Sequence, residues 1–428
     1  MAQFRFLHAA DIHLDSPLRG LSGQGGSAAE RIRSATREAL ERLVGRAIDE
    51  TVGFLVLAGD IYDGDWPDYK TGLFFSAQMG RLKAAGIPVF LLHGNHDAES
   101  RITKRLELPD NVRTFQARAA ETFRLEHLEV ALHGQSFRQR DVTENLVPAY
   151  PAPLSGAFNI GVLHTGLGGL GGHANYAPCT LDDLVNKGYD YWALGHVHKA
   201  QVLHERPHVV FPGNLQGRHI RETGTKGASL VTVEDREVTA IETLPCDLVR
   251  WAELPVSLNG ATSLEGAIDR LRSTLDRAVD ELADGRLLAC RIRLEGQTQV
   301  HGQILASEDH LLAEARSAAL SLGEEVAWIE KLVIATQAPL DPEALAQRDD
   351  ALGALQRMLQ EAGDDESLLG QMEGDIGQMV RRLPPELRAE GEDPVLRAAA
   401  TGDYAAVIAA VAPYLSARLS AGQTGGED

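Results

Sequence analysis

An apolar run from Ile87 to Leu92 is closed by His93-Gly94-Asn95-His96-Asp97, a glycine set among residues able to bind a metal or move a proton. Four more apolar runs end alike: Phe4 to Ala10 in Asp11-Ile12-His13, Phe54 to Ala58 in Gly59-Asp60, Ile160 to Leu163 in His164, and Tyr191 to Leu194 in Gly195-His196-Val197-His198. A buried parallel strand delivers chemistry to the edge of its sheet in this way. Five such ends, each tipped with Asp, Asn or His, predict a single site. Two divalent ions about 3.5–4 Å apart need a shared carboxylate and a mixed donor set. Asp11, His13, Asp60, Asn95, His164, His196 and His198 supply one. Imidazole and carboxylate together suit manganese, iron or zinc better than calcium or magnesium alone. On a strand or turn Asp11 and His13 point to the same side, as do His196 and His198. Gly59, Gly94 and Gly195 permit sharp turns with no side chain in the way.

The elements that must carry these residues follow from periodicity. Ala28 to Val52, with Ile32, Ala35, Ala39, Leu43 and Ala47 at helical spacing, and Thr71 to Ala85 read as helices between strands. Turns at Gly53 and Gly86 complete βαβ units. After Asp97 short strands and Pro148, Pro151 and Pro153 suggest a second sheet packed on the first. Strands continue to Leu244, so residues 1–245 form one domain, with a boundary at Pro245 to Asp247. Residues 246–340 read as a small α+β cap: a strand near Trp251, helices over Leu264 to Leu282 and Ser307 to Leu322, and strands over Leu287 to Leu294 and Ala327 to Ile334. Residues 341–428 are rich in Ala and Leu, poor in β-branched residues and hence helical. Breaks fall at Gly363-Asp364-Asp365 and Gly391 to Pro394, and a disordered acidic tail is expected after Ser420.

Bulk composition narrows the function classes. A chain of 428 residues exceeds one core. Cys179, Cys246 and Cys290 are too few and too scattered for a disulfide framework or zinc knuckle, and fit a reducing cytoplasm. No basic leader with an apolar core opens the chain and no segment approaches a membrane span, so neither secretion nor a membrane is expected. The net charge of −20 divides into −4 over residues 1–245, −6 over 246–340 and −10 over 341–428. Such acidity gives no electrostatic footprint for gripping nucleic acid unaided.

The ordered motifs D-x-H, G-D, G-N-H-D, a lone strand-end His and G-H-x-H resemble the signature of the calcineurin-like metallophosphoesterases. Ala9-Ala10-Asp11-Ile12-His13-Leu14-Asp15-Ser16-Pro17 and Phe211-Pro212-Gly213-Asn214-Leu215-Gln216-Gly217-Arg218-His219 look more specifically like the SbcD/YhaO branch of DNA repair exonucleases. The resemblance covers residues 1 to about 245 by motif; beyond that, length and order alone match. It implies an α/β fold, a two-sheet sandwich flanked by helices, before the cap and helical region. It implies one ion on Asp11, His13, Asp60 and His198 and another on Asp60, Asn95, His164 and His196, with Asp60 shared and Mn2+ favoured over Fe, Zn or Mg. A water made acidic by the ions would attack phosphorus in line. His96 would approach the phosphate and leaving oxygen, with Asp97 orienting its ring.

A lone His at a strand end is more often structural; His164 is read otherwise because of the motifs on either side, whereas His93, His133, His173, His204 and His208 are left structural. Asp97 has the bland alternative of a turn residue. Asp15 and Asp63 read as turn caps or outer partners of the ligands. Arg218 and His219 are read both as phosphate contacts and as surface-loop residues. Gly166 to Gly172 lacks the Lys-Ser/Thr of a P-loop and reads as an active-site loop.

The expected function is hydrolysis of DNA phosphodiester bonds by a cytoplasmic exonuclease working with an SbcC-like coiled-coil ATPase. The partner would carry the grip on DNA that this acidic chain lacks. The C-terminal helices are read equally as its docking surface and as a packed cap. Dimers are common in the branch, so a homodimer is also expected. The motifs admit a small-molecule phosphodiesterase or phosphoprotein phosphatase as an alternative. A catalytically dead scaffold is disfavoured because each ligand position holds a competent residue.

Overall fold

The computed structural model describes residues 3–16, 27–63, 69–99, 107–169, 175–338, 346–381 and 394–423. They divide into two compact units: residues 1–252 with 282–289 and 324–328, and residues 253–281 with 290–323 and 329–428. The sequence places the boundary at Pro245 to Asp247; the first unit instead runs on to Ala252 and reclaims two later segments. The reason is burial, since Cys246, Leu248, Val249, Trp251, Leu287 and Ala289 join the same apolar cluster as the first long helix.

In the first unit β1 (Gln3–Ala9), β2 (Phe54–Ala58), β3 (Val89–Leu92) and β4 (Val112–Thr114) run parallel to one another. A second sheet holds β5 (Glu121–Leu125), β6 (Val130–Gly134), β7 (Phe158–His164), β8 (Tyr191–Gly195), β9 (Gln201–Glu205) and β10 (His208–Phe211), ordered β5-β6-β7-β8-β10-β9. The chain then returns to the first sheet. There β11 (Gly227–Glu234) pairs antiparallel with β1, and β12 (Glu237–Pro245) forms the edge, giving β12-β11-β1-β2-β3-β4.

Strand alternation sorts the apolar side chains into two layers. Phe6, Phe54, Val56, Phe90 and Leu92 meet Leu132, Phe158, Ile160, Val162 and Tyr191 from the second sheet, making the core of a two-sheet sandwich. Phe6 and Phe54 stack with centroids 4.9 Å apart. Each such side chain contributes about 1.5–3 kcal/mol on burial. Leu7, Leu55, Leu57, Val89 and Leu91 point to the other face, against α1 (Ser27–Asp49) and α2 (Lys70–Ala84). Because both faces are covered, β2 is buried at each residue, which explains its unbroken apolar wording. The predicted face of α1, Ile32 through Ala47, is the buried one. That helix ends at Asp49, short of the expected Val52; Thr51, at φ +48°, turns the chain toward β2.

The second unit draws on a three-stranded sheet, β13 (Val249–Ser257), β14 (Leu287–Gln297) and β15 (Ala327–Gln337), in that spatial order. In β13, buried Leu254 and Val256 alternate with exposed Glu253, Pro255 and Ser257. The helix Leu264–Ala278 is capped by Ser263, whose hydroxyl accepts from Gly266 N at 3.0 Å, and buries Ile268, Leu271 and Leu275. Helices His301–Ala306 and Glu308–Leu322 follow. The C-terminal region is helical at Ala351–Ala362, Glu366–Arg381, Pro394–Thr401 and Tyr404–Gln423. Its small core gathers Val380, Ala399, Tyr404 and Val407. The Gly363-Asp364-Asp365 break is present, whereas Gly391 to Asp393 lie outside the described residues. The last helix continues past Ser420 to Gln423, and only residues beyond it lie outside the description. Among the described residues no helix is long and apolar enough to cross a membrane.

Candidate metal centre

The carboxyl ends of five strands converge, three from the first sheet and two from the second. β1 leads into Asp11 and His13, β2 into Asp60, β3 into Asn95 and His96, β7 ends on His164, and β8 leads into His196 and His198. Backbone bonds knit the tips together: Asp11 N donates to Gly59 O at 3.0 Å, and His13 N to Asp60 O at 3.1 Å. Asp11 and His13 do not sit on a strand. They follow β1 in left-handed conformation, φ +52° and +46°, as do Asp60 at +52° and His196 at +100°. Left-handed backbone costs a non-glycine residue roughly 1–2 kcal/mol, so a concentration of it here marks a constrained functional turn.

The ligand atoms fall into overlapping groups: Asp11, His13 and His198; His13, Asp60 and His96; and Asp60, His164 and His196. Asp60 and His13 each belong to two of them, and Asp60 is the carboxylate common to the second and third groups. His198 and His196 fall in different groups. Asn95 completes the last, its Oδ1 3.0 Å from His164 Nε2. Space is tight. A Cβ on Gly94 would stand 2.9 Å from both Asp60 N and His164 Cε1, and one on Gly195 2.9 Å from His164 Nδ1.

The donors fit two divalent cations. His13 Nε2 faces His198 Nε2 at 3.1 Å, and buried His13 Nδ1 has no hydrogen-bond partner. Two imidazole nitrogens at that distance share one proton at most, while a cation draws both lone pairs. His164 Nδ1 lies 2.9 Å from Ala58 O, a group that only accepts, so Nδ1 carries the proton and Nε2 is left to coordinate. Burial pushes the Asp11 carboxyl up to about 6 against the pull of His198 and His164. Burial opposes charge on His164, yet the Asp60 carboxylate beside it lifts the ring to about 9. Burial lowers His13 and His198. Metals bind anionic carboxylate and neutral imidazole, so a bound cation would displace the second proton from His164 Nε2.

His96 lies at the exposed rim, its side chain 30% exposed, and its Nδ1 is 2.9 Å from Asp63 Oδ1. The expectation that Asp97 orients this ring is corrected. Buried Asp97 accepts from Ile61 N at 3.2 Å, Tyr62 N at 3.0 Å and Gly94 N at 3.0 Å, and so holds the Asp60 turn to the β3 turn. On the short helix Asn95–Glu99 the His96 and Asp97 side chains leave in different directions, so sequence adjacency does not bring them together. Asp63 is thus an outer partner as expected, but of His96 as well as His13. Asp15 accepts from Arg37 and Thr71 and stands apart from the ligand groups.

Arg218 reaches the centre: its side chain is 15% exposed and lies 3.7 Å from Asp63 and 3.2 Å from Glu222. His219 is 47% exposed and 3.6 Å from Glu222, outside the ligand groups. Glu222, 2.7 Å from His198 Nδ1, was not legible in the sequence. An acid four residues past an arginine is too common a pattern to single it out. His173 and Leu170 to Gly172 of the glycine-rich loop lie outside the described residues.

A sandwich with paired cation sites at its strand ends defines the class, and comparison with known proteins agrees. Residues 4–200 match the family described as calcineurin-like phosphoesterase, and residues 251–337 match the metallophosphoesterase YhaO middle domain. The chain is 37% identical over 281 residues to "Uncharacterized metallophosphoesterase YhaO" of Bacillus subtilis, covering 65% of this chain and 69% of that one. The chain belongs to the calcineurin-like metallophosphoesterases, on the branch that contains YhaO. It is 24% identical over 298 residues to "DNA double-strand break repair protein Mre11" of Sulfurisphaera tokodaii, covering 64% and 70% of the two chains. Among solved structures a dimetal phosphatase from Danio rerio aligns with TM-score 0.35 and 12% identity, covering 56% of this chain and 99% of the other.

Proposed function

We propose that this metallophosphoesterase hydrolyses DNA phosphodiester bonds as a manganese-dependent exonuclease of DNA repair, in the cytoplasm, with an SbcC-like coiled-coil ATPase as partner. One observation carries the choice of DNA. The likeness to Mre11 of Sulfurisphaera tokodaii takes in 64% of the chain, more than the catalytic match over residues 4–200 contains. It therefore extends past the metal ligands that phosphoesterases of every substrate class share.

Bound divalent ions supply an acidified water and offset charge on the phosphate oxygens. The protein's own groups do the rest. His96, at the rim and backed by Asp63, gives a proton to the leaving oxygen. Arg218 offers a guanidinium to the phosphate. The acidity of residues 341–428 argues that the grip on DNA belongs to a partner. Exposed Met358 and Met379, on helices of that region, suit an apolar protein contact. The three described cysteines are free, in keeping with a reducing compartment.

The test is digestion of an end-labelled linear duplex with manganese, run beside bis-p-nitrophenyl phosphate and with His96→Ala as control. Shortening of the duplex that is lost in His96→Ala is the expected result. Hydrolysis of the small diester with DNA untouched, even after a coiled-coil ATPase partner is added, would overturn the DNA reading and leave the metal site standing.

A further inference from the structure

Glu222 is 6% exposed, lies between β10 and β11, and belongs to none of the ligand groups. Its Oε1 accepts from His198 Nδ1 at 2.7 Å and from Arg218 Nη2 at 3.2 Å. Its Oε2 accepts from Asn214 Nδ2 at 2.9 Å and from the backbone N of Arg218 at 2.7 Å. Lys226 Nζ donates to the carbonyl of His198 at 2.9 Å. Charged residues of one short segment thus grip His198 at both ring and backbone. Arg218 Nη2 also lies 3.3 Å from His198 Nδ1, but the Glu222 carboxylate is closer at 2.7 Å and cannot donate, so His198 Nδ1 carries the proton. Nε2, with its lone pair, is the nitrogen that faces His13 at 3.1 Å and Asp11 at 3.9 Å.

The other cation position is built differently. His164 is oriented by the neutral carbonyl of Ala58. An outer carboxylate raises the donor strength of an imidazole ligand more than a carbonyl does, so the two positions respond unequally to loss of charge.

We propose that Glu222 is the positioning residue of the Asp11–His13–His198 group, fixing the tautomer and direction of His198 and holding Arg218 with the same carboxylate. One cation position and the guanidinium beside it are thereby set as a unit. The inference rests on the two-cation reading of the centre and is independent of which phosphodiester is cut.

Manganese titration of the chelated full-length protein, followed by calorimetry and by electron paramagnetic resonance, tests it. Wild type takes up two ions and gives a coupled dimanganese spectrum. Glu222→Gln holds one ion as wild type does and the other about 10–100-fold more weakly. At two equivalents its spectrum gains the six-line signal of isolated manganese, while the metal-free protein still unfolds in a single cooperative transition, at a temperature lowered by the lost buried acceptor. Glu222→Asp, which keeps the charge but withdraws it from Nδ1, weakens the same single ion and guards against a Gln variant that fails to fold. Two ions bound with wild-type affinity in both variants, or both ions weakened equally, would overturn the role of Glu222. Fewer than two ions in wild type would overturn the two-cation reading itself, and this inference with it.

Discussion

Asp63 Oδ1 stands 2.9 Å from His96 Nδ1, while Asp97, the next residue in the chain after His96, bonds to the backbone of Ile61, Tyr62 and Gly94. The two acids therefore have separable effects. Asp63→Asn removes the charge that orients and supports the proton donor, and should lower kcat by about 10²-fold with little change in KM. Asp97→Asn leaves a buried turn one acceptor short and should cost about 1–3 kcal/mol of stability. Steady-state hydrolysis of bis-p-nitrophenyl phosphate and urea unfolding, run on both variants, separate the two outcomes.

Glycine at position 94 is required by space. Its added Cβ would crowd Asp60 N and His164 Cε1 at 2.9 Å. Gly94→Ala should displace the shared carboxylate and abolish uptake of at least one manganese ion. Gly80, within α2, has nothing within 4 Å of its added Cβ. Gly80→Ala should retain full metal uptake and raise stability by about 0.5–1 kcal/mol through helix propensity. Metal analysis and thermal unfolding of the pair check both.

His8 is buried inside the sandwich, with Nδ1 3.1 Å from Tyr191 Oη and Nε2 3.0 Å from Leu194 O. Burial pulls its pKa down to about 3, against the support of the Leu194 carbonyl. The unfolded chain, with an ordinary histidine near 6.5, takes up a proton that the folded chain refuses. The contribution is whole above about pH 6.5 and declines as pH falls toward 3, by about 1.4 kcal/mol per unit from this residue. Unfolding in urea at pH 7.5, 6.0 and 5.0 should show that decline. His8→Gln should show a shallower slope over the same range, whatever its effect at pH 7.5.

Much of this was legible because chemistry constrains residue type more strictly than folding does. Asp11, Asp60, Asn95, His164 and His198 are not interchangeable with other polar residues in a cation site, and each follows an apolar run that packing on both faces demands. Which cation each would hold is implied by the resemblance alone. The left-handed turns at Asp11 and His13 were not legible, because alternation along a strand gives the same prediction of convergence from a different backbone. The pairing of Asp63 with His96, and Glu222 altogether, were obscured for another reason. Their partners lie 33 and 24 residues away, and charge pairing over such separations is set by the assembled sheets. The first unit runs past residue 245 for a similar reason, since Trp251 packs back into its core.

On the proposed mechanism, hydrolysis depends on two cations that share Asp60. The most direct measurement is bis-p-nitrophenyl phosphate hydrolysis by chelated protein as manganese is restored, with ions counted at each step and Asp60→Asn alongside. No turnover is expected after chelation, with recovery complete at two ions per chain and an Asp60→Asn variant slower by at least about 10²-fold that binds fewer than two. Full turnover in chelated protein, or an Asp60→Asn variant that binds two ions and hydrolyses at the wild-type rate, would contradict that mechanism.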